Sequence, residues 1–413
     1  MIITDWHRRD EPLRLRVMKD DANTGAAAAR PPVEAYQRAF EATLGIPFTT
    51  GNTIEPLING VRIFPAMIEA IEGARESIDF LTFIYWQGDV AERFGHALAE
   101  RAAAGVRVRV LLDAFGANSM PGDVLERMQN AGAEIAWFRQ PMRWRFWQAD
   151  NRTHRKILLI DGLVGFTGGV GIAAEWDGDA RKPDEWRETH FRLTGPVLDG
   201  LRGAFVSNWV ETRRPDFEER WRIPTPSADG DARMQVLRTS AAVNYSDIAT
   251  LFRLLIRMAQ YRLRVTTGYF VPDPITVDML CEAAGRGVEI DILMPGPHTD
   301  SRVAKIAGED AFRPLLEAGV RLHRYQPTML HAKVTLLDDV LAVIGSANFN
   351  HRSMGKDDEI AVTLVHQPTV DKLSADFEQD RERCELVREG QWKKRGVWQR
   401  LLEYLSRLLR PQA

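Results

Sequence analysis

One pattern occurs twice in this chain and limits what the rest can fold into. HRKILLIDGLVGFTGG begins at His154, and HAKVTLLDDVLAVIGSANFNHRS begins at His331. Each copy has a histidine, a lysine two positions on, an aspartate five beyond the lysine and, after six more residues, a glycine-rich turn. Side chains at i and i+2 of a strand share a face, so His154 and Lys156 point one way, as do His331 and Lys333. The apolar residues that follow read as buried strand, and Asp161 and Asp338 fall beyond its end.

The same succession of segments surrounds both copies, and internal repeats are the first thing to weigh in choosing a fold. SIDFLTFIYW, AERFGHALAERAAAG and VRVRVLLD precede the first copy; LRVTTGYFV, TVDMLCEAAGRG and VEIDILMP precede the second. Strand, helix and strand in alternation imply right-handed crossovers and a mainly parallel or mixed sheet with helices on its faces. Gly105 and Gly287 suit the helix ends before the third segment of each series. The prediction is two duplicated α/β units related by a pseudo-twofold axis, with one active site at their interface.

At 413 residues the chain exceeds one ordinary core, at about 150 residues per domain. A leader is expected over 1–52, mobile around 20–34, with regular structure from near Thr53. The first unit then covers 53–212 and the second 234–380. Between them, 213–233 carries three prolines and many charges and reads as a linker. Residues 381–413 form a basic amphipathic tail.

Composition removes several classes of function. Lys and Arg number 54 against 57 Asp and Glu, a net charge of −3, which argues against coating nucleic acid by bulk charge. Two cysteines, Cys281 and Cys384, make neither a disulfide framework nor a zinc site, and favour a reducing setting. There is no signal-peptide pattern, and no apolar run of about 18 residues, so any membrane contact is expected to be peripheral. No HExxH or clustered Cys and His spacing suggests a metal, and the remaining histidines, His190 among them, lie scattered.

Two His-Lys pairs facing each other suit phosphoryl or phosphatidyl transfer. The lysines stabilise phosphate charge as it grows. One neutral imidazole attacks while the other protonates the leaving group, giving a covalent phosphohistidine.

HxKxxxxD followed by GSxNxxxRS resembles the phospholipase D superfamily, over roughly Thr53 to Gln367. FIYWQGD, RTHRKILLIDG, the FTGG turn and the downstream TGP stretch look most like the shorter bacterial cardiolipin synthases that lack transmembrane helices. The resemblance implies a catalytic set of His154, Lys156, Asp161, His331, Lys333 and Asp338. Within it His154 is the nucleophile, His331 the general acid and then base, and the aspartates tie the site together. Lys156, Lys333 and Asn348 would hold the phosphate, with Ser346 on the same turn. Glu188 and Glu359 align with acids that orient an imidazole. Where the second copy reads GSAN the first reads GGVG, so Gly171 stands where relatives often keep asparagine. Metal-free, cofactor-free catalysis is implied.

Two further stretches suggest where substrate comes from. Near the carboxyl terminus Val397, Leu401, Leu405 and Leu408 form an apolar stripe amid lysines and arginines, reading as an anchor on anionic lipid or as a packed helix. Arg143, Trp144, Arg145, Phe146 and Trp147, in an insertion before the first motif, could press into headgroups or stack on single-stranded nucleic acid. The leading expectation is a phosphatidyltransferase at the cytoplasmic face of a bacterial membrane, converting two phosphatidylglycerol molecules into cardiolipin and glycerol. Phosphatidylethanolamine is an alternative donor. The alternatives are a phospholipase D using water, a nuclease of the same superfamily, or a lipid-binding scaffold without catalysis.

Overall fold

The computed structural model describes residues 31–140, 151–212, 224–240 and 246–388. The first half runs α1 (Val33–Leu44), β1 (Thr49–Ile58), α2 (Gly60–Glu72), β2 (Ser77–Thr82), α3 (Asp89–Ala103), β3 (Arg107–Asp113), α4 (Gly122–Asn130), β4 (Glu134–Phe138), β5 (Ile157–Ile160), β6 (Val164–Gly168), β7 (Thr189–Thr194) and α5 (Leu198–Glu211). The second runs β8 (Ala232–Arg238), α6 (Asp247–Met258), β9 (Arg262–Thr266), β10 (Phe270–Val271), α7 (Pro274–Gly285), β11 (Glu289–Pro295), α8 (Arg302–Glu309), α9 (Phe312–Glu317) and β12 (Arg321–Tyr325). It ends with β13 (Val334–Leu337), β14 (Leu341–Gly345), β15 (Phe349–Asn350), α10 (His351–Gly355), β16 (Ile360–Val365), α11 (Gln367–Glu382) and β17 (Cys384–Leu386).

The first half orders its strands β1-β7-β6-β5-β2-β3-β4, and the second repeats that order as β8-β16-β14-β13-β9-β11-β12, with β17 added at the edge. The two series meet where β1 pairs antiparallel with β8, at Thr49–Met234 and Asn52–Ala232, making one 15-stranded sheet. Equivalent strands pairing antiparallel are what a twofold axis at the joint produces. The expected duplicated α/β architecture is therefore present, with both units sharing a single sheet.

The sheet is mixed. Only β2–β3, β3–β4, β9–β11 and β11–β12 pair parallel within it, so crossovers build the outer strands alone. The inner strands are antiparallel because the chain reverses directly after each motif. The turns run through Asp161 and Gly162 in one half and Asp338 and Asp339 in the other, all at positive φ. The apolar run Ile157–Ile160 is buried on both faces: Leu158 and Ile160 join a core with α2 and α3, while Ile157 and Leu159 join one with α5 and α11. That second core takes residues from both halves, and Leu201 of α5 and Phe377 of α11 share it.

The expected start of structure near Thr53 is corrected. α1 begins at Val33 and β1 at Thr49. Tyr36 and Phe40, one turn apart, are buried in the core of the second half, and Tyr36 Oη donates to Asp338 at 2.7 Å. Two aromatic anchors within twelve residues leave too sparse a stripe to read as a helical face. At the other end α11 runs to Glu382, and β17 pairs with β12. The apolar stripe of the tail and the Arg143–Trp147 cluster lie outside the described residues. Among the described residues no helix is long and apolar enough to cross a membrane.

Candidate active site

The backbone crosses between halves at two points beside the repeated motifs. Thr153 bridges Asp358, and His154 N–H donates to the Asp358 carbonyl at 2.9 Å. Arg187 bridges Leu330, and His331 N–H donates to the Arg187 carbonyl at 2.8 Å. Each motif histidine is thereby set beside the glutamate of the opposite half. His154 Nδ1 lies 3.0 Å from Glu359 Oε1, and His331 Nδ1 lies 2.6 Å from Glu188 Oε2. The sequence singled out both acids without indicating that the pairs would exchange.

A carboxylate on Nδ1 fixes the ring orientation and leaves Nε2 as the working nitrogen. Both rings reach one cavity of about 510 Å³ between the halves, with Lys156 and Asn348 also in its wall. Arg152 and Arg352 line it too, held respectively by Asp113 at 3.1 Å and by Asp357 at 2.7 Å. Phe83 packs edge-on against His154 with ring centres 5.3 Å apart. Trp176, Trp186 and Tyr269 surround His331.

Burial lowers the pKa of His154, against the pull of Glu359, and holds the ring toward its neutral form. Burial, then the charges of Lys333, Lys156 and His154, push His331 well down. The lysines follow: burial brings Lys156 to about 7 and Lys333 to about 8, despite the nearby carboxylates. Glu359 is also driven upward by burial, but His154, Lys156 and the Ser346 hydroxyl outweigh that and hold it at about 2. Glu188, with weaker compensation, is raised.

One predicted phosphate holder, Ser346, sits elsewhere than expected, while the two aspartates lie beyond the motif strands as the sequence suggested. Ser346 is fully buried and its hydroxyl donates to Glu359, so it stands behind the imidazole instead of on a phosphate. Ser353, from the same motif, donates to Glu359 at 2.6 Å. The aspartates are absent from the cavity wall: Asp161 accepts from the N–H groups of Arg75, Glu76 and Ser77, and Asp338 from those of Gln260, Tyr261 and Arg262. They tie down the loops entering β2 and β9, at the end of each motif strand away from its histidine. Lys156 donates to the His154 carbonyl at 2.7 Å, and Lys333 to that of His331. His190 is buried outside the cavity wall, with its pKa held by burial at about 3.

Sequence reasoning missed Phe83, Trp176, Trp186, Tyr269, Arg152 and Arg352. One signal was available, a threonine at the matching place in LTFIYW and TTGYFV: Thr82 aligns with Thr267, hence Phe83 with Gly268 and Ile84 with Tyr269, and in the structure each threonine donates to the carbonyl two residues on at 2.9 Å. The tryptophans follow the first motif in a stretch whose counterpart in the second copy is short.

The model of the family described as "Cardiolipin synthase, PLD-like domain" matches residues 67–175 and 252–381, more than half of the chain, with one motif copy in each range. The chain belongs to this phospholipase D-like cardiolipin synthase family. Cardiolipin synthase 1 of Bacillus cereus is 31% identical over 377 residues, covering 89% of this chain and 74% of that protein. Cardiolipin synthase A of Pseudomonas putida is 34% identical over 356 residues, 84% of this chain and 73% of its own. A solved phosphatidylserine synthase from Haemophilus influenzae superposes with a TM-score of 0.68 at 16% identity, covering 91% of this chain and 99% of its own, which shows a shared fold. Within the cardiolipin synthase family, this chain has Gly171 where its own second motif has Asn348.

Proposed function

We propose that the protein is a phosphatidyltransferase that joins two phosphatidylglycerol molecules into cardiolipin and releases glycerol. The observation that carries this reading is the pair of exchanged His–Glu contacts converging on one cavity. Neutral His154 attacks the phosphorus of the donor lipid through Nε2. The bond from phosphorus to the glycerol oxygen breaks, and His331 gives that oxygen its proton. The bound diester's negative charge favours the protonated ring that this step needs, opposing the burial that lowers its pKa. A glycerol hydroxyl of the second lipid then loses its proton to His331 and attacks phosphorus, and the bond to Nε2 breaks. Lys156, Lys333 and Asn348 hold the charged oxygens.

A lipid substrate accords with the named relatives and with a cavity that sets aromatic rings beside both histidines. The carboxyl-terminal basic amphipathic stretch supports peripheral attachment to anionic lipid at the cytoplasmic face of the membrane. The test is mass spectrometry of products after incubation with phosphatidylglycerol vesicles, with His154→Ala in parallel. Cardiolipin and glycerol from wild type alone is the expected result. Phosphatidic acid without cardiolipin makes the protein a phospholipase, and turnover by His154→Ala within about tenfold of wild type ends the two-histidine scheme.

A further inference from the structure

The two half-sites hold their glutamates by different means. In the second, the Ser346 and Ser353 hydroxyls donate to Glu359, and Asn348 stands at the cavity wall. In the first, Gly169 and Gly171 occupy the positions of Ser346 and Asn348. Neither glycine leaves room for its counterpart. A Cβ on Gly169 would lie 2.5 Å from Glu188 Oε2, and one on Gly171 would lie 2.9 Å from Ile84 Cβ and 3.0 Å from Trp176 Cζ3. The Trp176 indole fills that space from a single 3₁₀ turn, Ala174–Trp176.

Trp176 is 2% exposed. Its Nε1–H donates to Glu188 Oε2 at 3.4 Å, and its ring meets His331 edge-on with centres 5.2 Å apart. Trp186 packs against it at 4.4 Å and against the same imidazole at 5.2 Å. Glu188 also accepts from the Thr189 backbone N–H through Oε1 at 2.9 Å, so the side-chain donor on its Oε2 is an indole N–H in this half, where serine hydroxyls serve Glu359 in the other.

We propose that Trp176 is a positioning residue: it takes over in the first half-site the space of the absent asparagine and the carboxylate-holding task of the absent serine, and acts on His331 through Glu188. The charges facing this pair are Lys333 and His190 around Glu188, and Lys333, Lys156 and His154 around His331. All of them stay in place when Trp176 alone is changed.

The inference rests on the two-histidine reading, and turnover is followed on bis(4-nitrophenyl) phosphate, a diester without lipid. Failure of the lipid reading then shows in the wild type on phosphatidylglycerol vesicles, and failure of this inference only in the variants. Trp176→Phe keeps the ring and loses the donor. Its kcat/KM is expected to fall about tenfold, with the pH limb of the His331–Glu188 pair about half a unit higher, because a carboxylate that loses a hydrogen-bond donor binds a proton more readily. A limb superimposable on that of wild type overturns the proposal. Gly171→Asn is expected to lose about a hundredfold, and Gly171→Asn with Trp176→Ala to regain about tenfold or more of that loss. A double variant no better than Gly171→Asn shows that indole and asparagine do not compete for one space, and overturns the proposal independently of how well Trp176→Phe folds.

Discussion

Two lysines buried beside the motif histidines place activity and stability in opposition. Lys156 ionises at about 7 and Lys333 at about 8 in the folded protein, so kcat/KM is expected to fall above pH 7 to 8 as the phosphate loses its cations. A bound diester favours the charged lysines, so the corresponding limb in kcat lies at higher pH. Stability moves the other way. Lys156 keeps its proton to about 10.5 when unfolded and only to about 7 when folded, so the unfolded state binds more protons over that window and stability rises with pH. Lys156→Met is expected to melt at or above the wild-type temperature at pH 6 while losing about a thousandfold or more in kcat, as thermal melts and initial rates would show. Glu359 is ionised at any assay pH, and Glu359→Gln, which leaves His154 with a neutral partner, should cost kcat about a hundred- to ten-thousandfold with little change in KM. A loss below about fivefold would show that the carboxylate does not orient the nucleophile. The histidines and lysines were legible because they recur at identical spacing in both halves. Trp176 was not, since its meaning lies in a contact with Gly171 that no spacing within one copy reveals.

At the scale of elements, the motif aspartates act as clamps. Asp338 gathers the N–H groups of Gln260, Tyr261 and Arg262 and the hydroxyl of Tyr36, thereby fixing α1 to the entry of β9. Tyr36→Phe removes one hydrogen bond to a carboxylate and is expected to destabilise the fold by about 1.5–3 kcal/mol, with kcat unchanged, measurable by urea denaturation and steady-state rates. A change in kcat of threefold or more would mean that the clamp reaches the cavity. The strands and crossover helices of each half could be read from alternation and glycine punctuation. The antiparallel inner strands could not, because the reversal depends on aspartates adopting positive φ just after a buried run. α1 escaped notice for a related reason: its helical face is written in two residues and completed by another element's core.

For the molecule as a whole, the halves are joined by more than the chain between them. β1 and β8 continue one sheet, and buried Arg155 of the first half donates to the Glu359 and Thr239 carbonyls of the second. A protease site placed between residues 212 and 224 should, once cut, give two pieces that elute together on size exclusion and retain at least about half the turnover. Each piece alone should be inactive. Separation of the cut pieces without denaturant would show that the shared sheet is weaker than its extent implies. Duplication was plain in the sequence, but the exchange of glutamates was not, because residues 205 and 143 positions apart have no local signature.

That exchange alters what having two copies means. Duplication ordinarily provides a spare, one copy free to drift while the other keeps the function. Here each copy carries the acid that meets the other's imidazole, so under the proposed two-histidine scheme a lesion in either is expected to be felt at both steps of the reaction. The arrangement leaves neither half with a complete His–Glu pair of its own. Change is confined to substitutions made in step across the boundary or compensated on the spot, as an indole beside a bare glycine.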